Sequence, residues 1–358
     1  MIQILAILSS VPLALATTWG AAALWFRLPW SGILRPLSVI SWSVMALGLL
    51  ILGLRGVWQA NIVQLLMLAG LLIWWFRLAP AHDRLWSDDV KHLATGEVEG
   101  NWLTLHHVRD FDWRTRDEAE VQWQTRSYDL DRLDSVDMIV SSWGRPGVAH
   151  VMISFGFEGE YFVLFSVEVR RLKGTRFSEI GGFFRQYELA IVAAEERDAL
   201  GLRAEVRDER VSLYRLYLPR KAMRSLLLAY VEEANRLADS PRFYNTITAN
   251  CTTLIFVLAR SIGARLPLDY RLLMTDRLPS YAFKIGGLWP GHSLAKLEEG
   301  GRIDKRARRV HRAVDFSQRI REGVPGWERR AISPAKEIKN CERTAPPSES
   351  SCSDSGVD

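Results

Sequence analysis

Residues 148–170 read VAHVMISFGFEGEYFVLFSVEVR, two alternating apolar runs on either side of Glu158-Gly159-Glu160. Val151, Ile153, Phe155 and Phe157 alternate on the first run, and Tyr161, Val163, Phe165 and Val167 on the second. Period-two alternation marks strands with one buried face, and a short Gly-containing loop between two such strands marks a β-hairpin. With Gly159 at the centre of a three-residue loop, Phe157 pairs with Tyr161 and His150 falls opposite Glu168. A different loop length would slide this register, but the alternation fixes which residues share a face. The odd-numbered apolar face leaves His150, Ser154, Ser166 and Glu168 together on the other face. A histidine facing a carboxylate across a hairpin is oriented for base chemistry; a solvent-facing polar pair is the plainer alternative.

Outward from the hairpin, residues 187–194 and 211–218 read as further strands, with an acidic turn at Glu195-Glu196-Arg197-Asp198 between them. Met223, Leu226, Leu227, Tyr230, Ala234 and Leu237 recur at helical spacing over residues 220–237, an amphipathic helix that ends before Pro241. Residues 104–109 and 121–128 read as short strands upstream. His106 and His107 are adjacent, so on a strand they face opposite ways, and they read as surface histidines rather than metal ligands. The expected fold class is therefore α+β, an antiparallel sheet with helices over residues 81–325.

The first eighty residues differ in kind. Residues 2–26, 36–54 and 57–76 carry no charged side chain. Each run is close to the roughly 20 apolar residues needed to cross a hydrocarbon core of about 30 Å. Trp25, Trp30, Trp58, Trp74 and Trp75 sit near the run ends, where indole favours the membrane interface. A cleavable signal peptide is the rival reading of the first run, with Ala14 and Ala16 near its cleavage site, but no basic segment precedes it and two more runs follow. The expectation is an all-α transmembrane region of three helices over residues 1–80. Lys and Arg counts in the short loops favour the large domain on the cytoplasmic side by one or two charges.

The whole chain has 358 residues and a formal net charge of +5, with three cysteines, too few for a disulfide framework or a four-cysteine zinc site. The basic stretch 302–330 lacks interleaved aromatics and reads as membrane-proximal or solvated, with no nucleic-acid partner expected. Residues 326–358 form a basic to Ser/Pro-rich tail, read as disordered from Ser333 onward. No Walker loop, dinucleotide fingerprint, Ser-centred elbow or metal-ligand spacing occurs, so neither a cofactor nor a metal is expected.

The sharpest feature is FYNTITANCTTL, residues 243–254. Leu254, Ile255, Leu258 and Ile262 share one helical face after Cys251, with Gly263 as a C-terminal stop. Asn250 is a good N-cap, which places Cys251 in the first helical turn. Free N–H groups and the positive end of the helix dipole favour a thiolate there and can hold an oxyanion. Cys341 and Cys352 lie in the tail and are poor catalytic candidates. Arg170 and Arg171 are candidates for a phosphate or carboxylate headgroup, with a solvated surface as the commoner outcome for such residues.

The stretches WGRPGVAHVMISFGF (143–157), SVEVR (166–170), GFFRQYEL (182–189) and FYNTITANCTT (243–253) resemble the bacterial family described as the Lnb N-terminal periplasmic domain. That family is similar to the lipoprotein N-acyltransferase Lnb, and the resemblance covers roughly residues 100–325. A strand histidine followed by a cysteine opening a helix further resembles a permuted papain-like fold, in the order found in lecithin retinol acyltransferase. The resemblance implies thiol acyl transfer, with Cys251 as nucleophile and His150 as base. The hairpin register adds Glu168 as the third member, and Asn250 or Tyr244 would assist at the oxyanion, with Arg170 near the substrate. It also implies a periplasmic domain, against the charge count; the three-helix anchor departs from the family, sets that domain at the inner membrane and makes a membrane lipid or lipoprotein the expected substrate. A cell-wall amidase or peptidase and a non-enzymatic membrane-tethered binding module are the rival functions.

Overall fold

A computed structural model describes residues 2–30 and 32–327, with side chains from residue 10 onward. The expected disorder from Ser333 to Asp358 lies outside the described residues. Three helices open the chain: α1 (Ile2–Arg27), α2 (Leu34–Leu54) and α3 (Trp58–Arg77). Among the described residues two of them, α2 and α3, are long and apolar enough to cross a membrane, where three were expected. The described part of α1 is diluted by Ser10, Pro12, Thr17, Thr18 and Gly20, and several of these serve helix packing. Trp42 Nε1 donates to the Thr17 carbonyl at 3.0 Å, and Gln64 Nε2 to the Thr17 hydroxyl at 3.1 Å. A Cβ at Gly20 would press on Leu71 and Trp42 at 2.7 Å, so glycine allows this close approach.

The strands are β1 (Thr95–Glu99), β2 (Trp102–Arg109), β3 (Asp112–Trp113), β4 (Ala119–Glu120), β5 (Trp123–Asp129), β6 (Leu133–Ser142), β7 (His150–Phe157), β8 (Tyr161–Arg170), β9 (Glu188–Ala194) and β10 (Arg210–Arg215). Eight of them form one sheet in the order β1-β2-β9-β8-β7-β6-β10, with β5 on β2. The β7–β8 register is the one expected with Gly159 at the centre of the loop, with Phe157 opposite Tyr161 and Met152 opposite Ser166. The sheet is mixed rather than wholly antiparallel, because β2 meets β9 in parallel through Arg109 and Ala194. Between His106 and His107 the strand bulges, with His107 at φ 58°, which sends its Nδ1 to the Leu93 carbonyl 3.1 Å away.

Both faces of the sheet are covered. Val151, Ile153 and Phe155 of β7 and Val163, Phe165 and Val167 of β8 pack with α6 (Arg220–Asp239) and α7 (Cys251–Ser261). Met152, Phe162 and Leu164 on the opposite face pack with Ala199, Leu200, Ile303, Phe316 and Ile320. This second layer corrects one sequence reading and narrows another. The acidic stretch at 195–198 is not a surface turn but the start of a buried helix, Glu196–Gly201. The reading of the basic stretch from 302 as solvated holds for its basic side chains only: Arg308, Arg309 and Arg312 are exposed, whereas Ile303, Ala307, Phe316 and Ile320 close the second core.

The charges of that layer are neutralised internally. Arg321 reaches Asp137 Oδ2 at 2.8 Å and Glu196 Oε1 at 2.6 Å, all three buried, and Arg109 forks onto Asp198 at 2.8 and 3.0 Å. Such groups are tolerable out of water only when paired and hydrogen-bonded. Their sequence looks polar, and their place is interior.

Candidate active site

Cys251 is the first residue of α7, as the sequence predicts. Asn250 is extended at φ −128° and its side chain accepts the Thr253 N–H at 2.9 Å. The Thr253 hydroxyl accepts the Asn250 N–H at 2.9 Å, completing a reciprocal capping box. The preceding loop is tied to itself by paired backbone bonds of 3.1 Å between Asn245 and Ala249, and Asn250 Nδ2 donates to the Thr246 carbonyl at 2.7 Å. The N–H groups of the first turn of α7 have no carbonyl of their own helix to meet and point toward the sulfur's end.

α7 belongs to the layer on the odd-numbered face of β7, whereas His150 projects from the even-numbered face at the strand's first residue. They meet around the strand end, where the Cys251 thiol and the His150 side chain lie close enough to shift each other's protonation, with the Thr252 hydroxyl 4.0 Å from the sulfur. His150 Nε2 lies 2.7 Å from Ser166 Oγ and 3.3 Å from Glu168 Oε1. The Ser166 hydroxyl donates to Glu168 Oε1 at 2.6 Å, so its oxygen is free to accept from Nε2–H. That tautomer leaves Nδ1 as the nitrogen available to take the thiol proton.

The electrostatics agree with this geometry. Burial works against a thiolate at Cys251, and the hydrogen bond and charge of His150 outweigh it, so the thiol lies below its ordinary range. Burial and Arg203 work against an imidazolium at His150, and Glu168 together with the sulfur reverses that, so its pKa is raised. Glu168 is held well below the carboxylate range by His150 and Arg203 despite its desolvation. A thiolate–imidazolium pair braced by a carboxylate is the charge state this favours.

Residues 119–276 match the family described as the Lnb N-terminal periplasmic domain. The resemblance drawn from the quoted stretches is thereby met. No curated protein and no solved structure matches the chain. His150, Glu168 and Cys251 all lie inside the Lnb N-terminal match, as do the residues that brace them.

Within the Lnb-type region, Tyr244 packs near the thiol; its burial and the nearby Cys251 push its hydroxyl pKa upward. Asn250 serves the cap and the Thr246 carbonyl, which fixes the loop rather than presenting its amide to a substrate. Arg170 is buried away from the dyad: it donates to the carbonyls of Val90 at 3.1 Å and Lys91 at 2.7 Å, meets His82 Nδ1 at 2.9 Å and lies over Trp86. Arg171 pairs with Asp89 at 2.9 Å. Arg170 is thus buried and committed to these partners, whereas Arg171 stays partly exposed beside Asp89. Among the described residues no three His, Cys, Asp or Glu gather in a metal-holding group.

Two residues of the site carry no signal in the sequence. Arg203 sits in a π-helical turn, Leu202–Val206, with Nη2 3.3 Å from Glu168 Oε1 and Nη1 3.2 Å from Glu209 Oε2. Glu209 in turn accepts the Ser141 hydroxyl at 2.5 Å, and Ser141 pairs with His150 across β6 and β7. An extra residue in a helical turn often marks a functional position, and here it aims a guanidinium between two carboxylates. Only the fold brings residues 141, 150, 168, 203 and 209 together. A groove of 310 Å³ between α6 and α7 is lined by Thr248, Ala249 and Thr253 but not by Cys251, so it lies beside the nucleophile rather than over it.

Proposed function

We propose that this protein is a membrane-anchored, cysteine-dependent acyltransferase or hydrolase acting on a lipid- or lipoprotein-type acyl substrate. The observation that carries the reading is the unbroken line Cys251–His150–Ser166/Glu168, with the sulfur at a helix N-terminus. The order of the His strand before the Cys helix fits a permuted papain-like fold. The match to a periplasmic domain family and the apolar α2 and α3 support a multi-pass inner-membrane protein with its domain outside the cytoplasm.

The Cys251 thiolate attacks an ester or amide carbonyl and forms a carbon–sulfur bond, while the carbonyl electrons move to oxygen. The Cys251 and Thr252 N–H groups stabilise that oxyanion, the Thr253 N–H being held by the Asn250 cap. Collapse expels the alcohol or amine, which takes its proton from the His150 imidazolium, and a thioester remains on Cys251. An amine or water, deprotonated by His150, then attacks the thioester and regenerates the thiol. Ser166 and Glu168 keep the ring oriented through both steps.

The test is the rate of Cys251 alkylation against pH in wild type and His150→Ala. Labelling well below the pH expected of a free thiol (pKa about 8.5), lost in the histidine variant, supports the pair. Slow labelling indifferent to His150 makes Cys251 structural and sinks the proposal.

A further inference from the structure

The short helix α4 (Glu179–Phe183) stands between the membrane helices and the nucleophile. On one side, Arg185 Nη1 donates to the Trp75 carbonyl at 2.9 Å and its guanidinium lies 4.9 Å from the Trp75 ring. Phe184 stacks on Phe26 with centroids 5.4 Å apart, and Arg27 Nη1 donates to the Arg185 carbonyl at 2.7 Å. On the other side, the Thr246 hydroxyl donates to the Glu179 carbonyl at 2.8 Å, and a Cβ at Gly182 would overlap that hydroxyl. Thr246 in turn holds the Asn250 cap. The end of α3 and the reactive sulfur are thus separated by one five-residue helix and its contacts.

At this level three large apolar side chains are exposed: Ile180 (60%), Phe183 (42%) and Ile247 (50%). None joins either core. Trp75 is buried against Phe184 and Arg185, and α3 ends on Phe76, 73% exposed, and the basic Arg77, a pairing that suits a membrane–water boundary. Apolar groups continuous with that boundary lose contact with water by entering the lipid surface.

We propose that Ile180, Phe183 and Ile247 form a lip embedded in the phospholipid surface, onto which the Cys251 site opens. This rests on the membrane-anchored reading above and adds a partner surface to it. The lip holds the loop that carries the Asn250 cap at the bilayer surface, and it fixes the height of the site above the membrane through α4.

The test places a photo-crosslinking phenylalanine analogue at Ile180, Phe183 or Ile247 of the full chain, reconstituted in phosphatidylethanolamine/phosphatidylglycerol vesicles. Tyr161, exposed at the hairpin tip at the opposite end of β7, is the control. Phospholipid adducts at the three lip positions and none at Tyr161 are the expected result. Absence of lipid adducts at the lip, adducts to protein only, or equal adducts at Tyr161 would overturn it. The readout needs no turnover, so lipid adducts on a chain whose Cys251 proves unreactive would leave the lip standing and remove only the enzymatic reading.

Discussion

Arg203 donates to Glu168 Oε1, the same oxygen that accepts the Ser166 hydroxyl, at 3.3 Å against 2.6 Å. The base of the site is thus steadied by a carboxylate that is itself held between two cations. The two charges act on His150 with opposite sign: Glu168 raises its pKa and Arg203 lowers it.

Opposite pH shifts follow. In Glu168→Gln the imidazolium loses its partner, so the His150 pKa falls, the alkaline limb of activity moves to lower pH and the Cys251 thiol rises. In Arg203→Gln the repulsion is removed and the alkaline limb moves to higher pH. The Glu168 variant should also lose about 10²-fold in rate, the lower end of general-base contributions. The pH profile of Cys251 alkylation in the two variants checks this, and shifts in the same direction would exclude the arrangement described.

Asn250 separates stability from reactivity. Asn250→Ala should cost about 1 kcal/mol through the lost cap. Asn250→Asp keeps the acceptor for the Thr253 N–H but loses the donor to the Thr246 carbonyl, so the unfolding free energy in urea should also fall by about 1 kcal/mol. It also sets a negative charge beside the sulfur, which raises the thiol pKa and slows labelling near neutral pH. Equal labelling in wild type and Asn250→Asp would mean that the cap has no electrostatic reach to the thiol.

Arg321 is the buried cation most costly to lose. Arg321→Met leaves Asp137 and Glu196 without a countercharge, and burial already raises the Asp137 pKa. The expected loss is about 3–5 kcal/mol of unfolding free energy, as for other broken buried pairs. Adding Asp137→Asn and Glu196→Gln should recover part of it. Urea titration in detergent measures both, and a loss near that of a surface substitution would contradict the interior placement.

A topology reporter fused after Asp358 should register outside the cytoplasm. A cytoplasmic signal would reverse the placement drawn from the family match and restore the one favoured by the Lys and Arg counts.

How far the sequence could be read depended on how local the physics was. The β7–β8 register and the capped start of α7 are set by neighbours in sequence, and both were legible. Glu196, Asp198 and Arg321 were misread because a buried, paired charge has the same letter as a solvated one, and the partners lie far apart in the chain. Arg203 and the parallel contact between Arg109 and Ala194 depend on closure of the whole sheet. The three-span expectation counted uncharged residues without weighing Thr17, Thr18 and Gly20, which pack α1 against its neighbours.

The last layer of the sheet is also the last to be made. A chain synthesised through residue 261 contains the residues of the β7–β8 hairpin and of α7, but not Arg321, the partner of Asp137 and Glu196. Synthesis order therefore leaves the His150 side of the sheet without its C-terminal cover until the end. That face, which carries His150 and Glu168, is covered by the most C-terminal of the described segments, which also brings Arg321, the countercharge of Asp137 and Glu196.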